Sequence, residues 1–323
     1  MKRRTLLQAT AASATLLAAP MIKAQTLPSG PIRIVVGFPP GGGTDALARV
    51  LAQKLQAMWN ITIVIDNKAG AAGVIAADFV SKQPGDGNTL LMGANTMLIA
   101  SQLYKNANFN PMKDFAPVSM AAWGTLMLVA HPKTGIKSVA ELIAQAKSKP
   151  GSISFGSPGV GTPHHMAMDL FKLETNLFML HVPYRGTAGY TQDILSGELN
   201  VGFLPVHIAQ GFVNGGKLNA LAVGSPKRHP VAPDVPTFDE MGVKRIDVDL
   251  WYAFFVPSKT PSAVVTRLNT EMAAILRQAD VKEILGKAGL DAVASTPPEL
   301  AAIVAKDYPR WGNVIKSKQI SAD

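Results

Sequence analysis

Four glycine-rich stretches stand out by what their residue types could do: GFPPGGGTDALA at 37–48, NKAGAAG at 67–73, GSPGVGTPHH at 156–165 and VPYRGTAG at 182–189. Each follows a run with strand character and opens a segment with helical periodicity. Each therefore offers small residues, accessible backbone N–H groups and the start of a helix. That combination attracts anions, by hydrogen bonding and by the partial positive charge of about half a unit at a helix N-terminus. The two anions to weigh are a nucleotide phosphate and a small free carboxylate.

For the nucleotide, Gly41, Gly43 and Ala46 satisfy G-x-G-x-x-A between a strand and a helix, and Asp66 ends the next strand where a ribose hydroxyl would be met. On that reading the chain is an exported NAD(P)-dependent oxidoreductase. Against it, Pro39 and Pro40 stiffen the turn, and the three other loops exceed what one dinucleotide needs. For the carboxylate, two such loops from each side of a cleft could hold a negative group without an arginine. Asp45 lies in the first turn of its helix, where any acid gains from the dipole, and Thr44 is placed to cap it. Catalysis has less support. Ser157 sits on a strand-to-helix turn, but residue 155 is Phe, so the G-x-S-x-G elbow is broken. His164 and His165 have no further His or acid at a metal-ligand spacing, and the chain contains no cysteine. No catalytic residue, metal or cofactor is assigned.

The elements that must position these loops alternate. IRIVVGF, ITIVID and TLLMGA read as strands separated by helical stretches, and the pattern restarts after Trp123 with LMLVAHP, SISFGSP, HVPY, NVGFLP and NALAVGS. Such alternation predicts an α/β fold of mainly parallel sheets flanked by helices. Ser138 and Glu141 have the spacing of a capping box, and Gly197 is placed to end the helix over TAGYTQDILS. LWYAFFVPSKTP then reads as a strand that feeds helices over 261–278 and 297–316. A helical tail after a completed second lobe implies that the chain returns to the first, so two crossings form a hinge around a cleft. The expected division is 25–125 plus 250–323 for one lobe and 126–249 for the other. Trp123, Trp251 and Trp311 are expected in core or interlobe packing.

Residues 1–24 have the layout of a cleaved export signal: Lys2, Arg3 and Arg4, an apolar stretch from Leu6 to Ala19, then small residues. The adjacent Arg3 and Arg4 point to the twin-arginine route. The formal charge is +9, and removing Lys2, Arg3, Arg4 and Lys23 leaves +5. That surplus is dispersed and lacks the basic, aromatic-interleaved run of a nucleic-acid groove, so no nucleic-acid partner is expected.

Over essentially the whole mature chain the sequence resembles the Bug-type extracytoplasmic solute receptors of tripartite tricarboxylate transport systems. The residues that carry the resemblance include PIRIVVGFPPGGGTDALAR, DNKAGAAGVIAAD, GSPGVGTPHHMA, VPYRGTA and LAVGSPKRHPVAPDVPTFDEMG. It implies a two-lobed periplasmic binding protein of type II-like architecture, monomeric, that closes on a small carboxylate and delivers it to a membrane permease. It further implies ligand contacts at Phe38, Gly42, Thr44, Asp45, Ala71 and Ala72 in the first lobe. In the second they fall at Ser157, Thr162, His165, Tyr184, Gly186 and Thr187. Where many relatives carry an acid or amide, this chain has Gly202, Phe203, Leu204 and Pro205. The lack of an acid disfavours an amino-acid ligand and leaves a mono- or dicarboxylate, aromatic acids included.

Overall fold

The computed structural model describes residues 30–322 apart from Arg245, Asp247, Ala288 and Gly289, so the expected export segment lies outside the described residues. Three parallel strands open the fold: β1 (Ile32–Val36) lies between β2 (Ile63–Asn67) and β3 (Thr89–Ala94). Helices α1 (Gly43–Trp59), α2 (Val74–Ser81) and α3 (Asn95–Leu103) connect and cover them. The short Val/Ile/Leu runs suit strands covered on both faces, and Ile34, Val35 and Val36 are fully buried. Leu47, Leu51 and Leu55 recur at helical spacing and bury one face of α1 against them.

The chain then enters a single strand, β4 (Phe115–Ala130), that serves both sheets. Its first part, through Thr125, pairs antiparallel with β9 (Asp249–Pro257), which in turn pairs antiparallel with β3. From Leu126 onward it pairs with β7 (Val201–Pro205) and β8 (Asn219–Val223). Here α4 (Val139–Ser148) leads to a second parallel group in which β5 (Ser154–Ser157) lies between β6 (Leu180–Pro183) and β7. Its connecting helices are α5 (Pro163–Thr175), α6 (Thr187–Ser196) and α7 (Val206–Asn214). Strand order across the molecule is β2-β1-β3-β9-β4-β7-β5-β6. After β9 the chain continues through α8 (Ser262–Leu276), α9 (Ala279–Lys287), β10 (Asp291–Ala292), which pairs with β4, and α10 (Pro297–Lys318), which packs on α3 and β4.

Several local signals act as their chemistry dictates. The Ser138 hydroxyl accepts the Glu141 N–H at 3.2 Å, while the Glu141 carboxylate reaches back to the Lys137 N–H. Thr296 and Glu299 complete a reciprocal capping box at the start of α10. Gly197 closes α6 at φ +85°. Trp251 and Trp311 are core residues, and the Trp251 indole donates to Asp307 at 2.8 Å. The helices expected over 261–278 and 297–316 are α8 and α10, within two residues at each end; α9 is additional, and α7 follows β7 where only strands are expected.

Candidate functional site

The loop between β1 and α1 is held by Asp45. Its buried carboxylate accepts the Gly41 N–H at 3.0 Å, the Arg49 Nε–H at 2.8 Å and the Asn67 amide at 2.9 Å. The Asn67 amide also donates to the Phe38 carbonyl at 3.0 Å, which ties this loop to the one after β2. Burial alone pushes the Asp45 carboxyl up, but the Arg49, Gly41 and Asn67 hydrogen bonds outweigh it and hold the group below its ordinary value. The two loops meet without side chains between them: a β-carbon on Gly37 would lie 2.7 Å from the Gly73 Cα. Ala71 and Ala72, at φ +46° and +52°, hold left-handed backbone that costs an alanine about 1 kcal/mol each.

In the second lobe Ser157, at the end of β5, is fully buried beneath its loop. Its hydroxyl lies 2.7 Å from His181 Nε2 and accepts the Gly159 N–H at 3.2 Å. The His181 ring is stacked between Phe155 and His165. His165 accepts the Gly161 N–H through Nδ1 and faces the Asp169 carboxylate through Nε2 at 3.1 Å. The loop after β6 is pinned by the Gly186 N–H donating to the Pro158 carbonyl at 3.0 Å and by the Tyr184 hydroxyl donating to Asp193. The Tyr184 phenol is pushed up to about 12 by burial and by its bond to Asp193.

These loops confront one another. A β-carbon on Gly42 would lie 3.9 Å from the Thr187 hydroxyl, and one on Gly186, at φ +109°, would lie 3.3 Å from the Pro39 ring. The Tyr104 hydroxyl, just past α3, donates across the gap to the Val160 carbonyl at 3.0 Å. The lobes are therefore in closed contact. Between them lies a space of about 560 Å³, part of it open to solvent, and a wider mouth bordered by Ala71, Ala72, Tyr104 and Tyr184. Helices α1, α3, α5 and α6 open on this cleft, and none has a side-chain hydrogen bond at its N-cap. Their first-turn N–H groups are the donors that a bound anion would meet. Arg185 is the single ionised side chain among the described lining residues, and no carboxylate is among them. If the closed contact is the ligand-holding state, Tyr104→Phe should weaken binding about 3- to 10-fold, the value of one hydrogen bond. Calorimetry on both proteins checks this; an unchanged affinity would remove that bond from closure.

Of the residues that the resemblance implies, nine border the cleft: Phe38, Gly42, Thr44, Ala71, Ala72, Thr162, Tyr184, Gly186 and Thr187. Three stand behind its wall instead. Asp45 fastens the glycine loop, Ser157 bonds under its own loop, and His165 is engaged by Gly161 and Asp169. The cleft also includes residues not expected from the sequence. Ala94 and Thr96 come from the β3–α3 junction, and Tyr252 comes from β9, whose buried hydroxyl shares a hydrogen bond with Thr44. His164, Arg185, Leu250 and Tyr104 also belong to this group. Asp66 is turned to Arg33 and Lys68, at 3.7 and 3.4 Å, and is absent from the lining. It is not poised to receive a ribose.

One cluster elsewhere has ligand-type residues: His207 and His229 lie 3.3 and 3.7 Å from the two carboxylate oxygens of Asp291. The His229 Nδ1 accepts the Val231 N–H, so the proton of the neutral ring sits on Nε2, the atom that faces Asp291. A cation there finds no free lone pair on His229.

Burial holds His164 and His181 neutral, each with its pKa lowered to about 3. The unfolded chain takes up protons on both below about pH 6.5, whereas the folded chain does so only near 3. Stability is therefore lost as pH falls through that window, by about 2.5 kcal/mol per ring at pH 4.5 if the burial is fully expressed. Urea unfolding of wild type and His164→Leu at pH 7 and 4.5 checks this: the variant should lose less. Equal losses would contradict it.

The family described as the tripartite tricarboxylate transporter family receptor matches residues 47–320. Protein BugT of Bordetella pertussis is 33% identical over 93% of this chain and 92% of its own. Among solved structures, Rpa4515 of R. palustris with adipate is 31% identical with a TM-score of 0.85, covering 92% of this chain and 99% of that one. MatC of Rhodopseudomonas palustris with bound malate is 28% identical with a TM-score of 0.83, covering 90% and 100%. With the family matched over most of its length and its architecture shared with these receptors, the chain belongs to the tripartite tricarboxylate transporter receptor family, a family of solute-binding receptors and not of enzymes.

Proposed function

We propose that the chain captures a small mono- or dicarboxylate between its lobes in the periplasm and presents it, as a monomer, to the membrane permease of a tripartite transporter. The observation that carries this reading is the electrostatic character of the cleft: four helix N-termini and Arg185 face it, and among the described residues no acid does. A carboxylate gains from every one of these groups, whereas the ammonium of an amino acid would find no counter-charge. The adipate and malate bound by the two relatives are the same chemical class.

In this reading the negative group meets the backbone N–H groups of Gly42, Gly43, Thr44, Thr187 and Ala188, while the Gly186 N–H is held by the Pro158 carbonyl. Phe38, Ala71, Ala72, Thr162 and Tyr184 shape the walls, and Asp45, Ser157 and His165 hold the loops from behind. Lobe boundaries at 25–125 plus 250–323 and at 126–249 are supported by β4, which changes partners between Thr125 and Leu126. Removal of residues 1–24 and export by the twin-arginine route rest on the sequence. Affinity should be micromolar or tighter, about 8 kcal/mol, because closure must be driven by contacts made only in the closed form.

Native mass spectrometry of freshly purified protein, followed by thermal-shift screening, tests the proposal. A retained carboxylate, or a rise in Tm with carboxylates alone, is expected. Stabilisation by NAD(P) with no response to any carboxylate would refute it.

A further inference from the structure

Tyr252 enters the cleft from β9, where it pairs with Ala94 of β3 on one side and Ala122 of β4 on the other. It lines the inner space, and its hydroxyl end lies beside the first residue of α1: a β-carbon on Gly43 would stand 3.4 Å from the Tyr252 oxygen. The first-turn N–H groups of α1 therefore open next to a phenol. Among the described residues, the one hydrogen-bond partner of that hydroxyl is the side chain of Thr44, which also lines the space. Two hydroxyls bonded to each other spend one of their two protons and leave the other. Burial pushes the Tyr252 phenol up, so it keeps its proton, while the Thr44 bond works the other way, as a bond donated to the phenol oxygen does. Thr44 is thus the donor within the pair, and the proton left over is that of Tyr252.

An O–H with nothing to donate to, set beside N–H groups in the same position, completes a group of donors around one place for an acceptor. Resting on the carboxylate reading above, we propose that Tyr252 is a ligand-binding residue, whose hydroxyl, held by Thr44, donates to the carboxylate at the N-terminus of α1. A hydrogen bond to a charged acceptor is about twice as strong as one between neutral groups, and the bond from Thr44 to the same oxygen strengthens it further. The donor stands on a strand paired on both sides and not on a loop, so it is in place before the ligand arrives.

Calorimetry with succinate, malate, adipate and benzoate tests this. For the acid that wild type binds most tightly, Tyr252→Phe should raise Kd about 10- to 100-fold, the value of a hydrogen bond to a charged group, with the ligand-free unfolding midpoint kept. Thr44→Val leaves the Tyr252 proton in place and should raise Kd only about 3-fold. A loss of less than about 3-fold in Tyr252→Phe overturns the inference while leaving the carboxylate reading intact. A larger loss in Thr44→Val than in Tyr252→Phe also overturns it, because Thr44 is then the donor to the ligand. Failure of wild type to bind any acid of the set overturns both readings. The wild-type protein decides even if a variant does not fold: the ¹³Cζ resonance of Tyr252 should move on saturation with the bound acid, and a resonance that stays in place overturns the inference.

Discussion

Gly42→Asp should abolish ligand binding, by 100-fold or more in Kd, without loss of stability. Gly42 is the N-cap of α1 with φ −84°, which any residue can adopt, and a β-carbon there meets nothing closer than the Thr187 hydroxyl at 3.9 Å. Aspartate is a favoured N-cap, better than glycine by a few tenths of a kcal/mol, so the fold should tolerate it. Its carboxylate, however, would stand where the ligand's carboxylate takes the helix N-terminus, and would repel a second anion across a few ångströms of poorly solvated space. Thermal unfolding and calorimetry separate the two effects. Wild-type affinity in the variant would take the first glycine loop out of the site.

Asp45→Ala should act the other way, on stability first. The substitution removes the acceptor of three hydrogen bonds, leaves the Gly41 N–H unpaired and frees one side of Asn67, the residue that links the two first-lobe loops. Loss of a buried charged acceptor of this kind costs about 3 kcal/mol. Binding should weaken about 10-fold as well, because the loop that presents the α1 N-terminus is no longer held before the ligand arrives. Because the Asp45 pKa is lowered in the fold, its contribution is present above the ordinary carboxylate range and fades as pH falls below it. Urea unfolding at neutral pH measures the loss. A change under 1 kcal/mol would show that the clasp is dispensable.

How much of this was legible follows from the range of the forces involved. The glycine loops are local: a turn needing backbone freedom, followed by a helix start, writes itself into adjacent residues. The helix stops and caps at Ser138, Glu141 and Gly197 are legible for the same reason. Strand β4 was not. Only its second half, LMLVAHP, is expected as a strand; the first half pairs with β9 despite Pro117, which adjoins a register shift where its missing N–H is tolerated. Tyr252 could not be placed because its position comes from pairing with Ala94 across two strands distant in sequence. The distinction between His164 and His165 was equally hidden. Consecutive helical residues point about 100° apart, and which one faces the cleft depends on how α5 is seated. Asp45 was visible as a first-turn acid, but its partner Asn67 lies on another strand, so its clasp emerges only from the fold.

The central claim is that backbone amides from both lobes hold one anion together. Amide NMR of isotopically labelled, ligand-stripped protein titrated with a bound carboxylate tests this most directly. The account predicts downfield proton shifts for Gly42, Gly43 and Thr44 and for Thr187 and Ala188, all saturating with a single Kd. Shifts confined to one lobe, or two sets following different affinities, would contradict it.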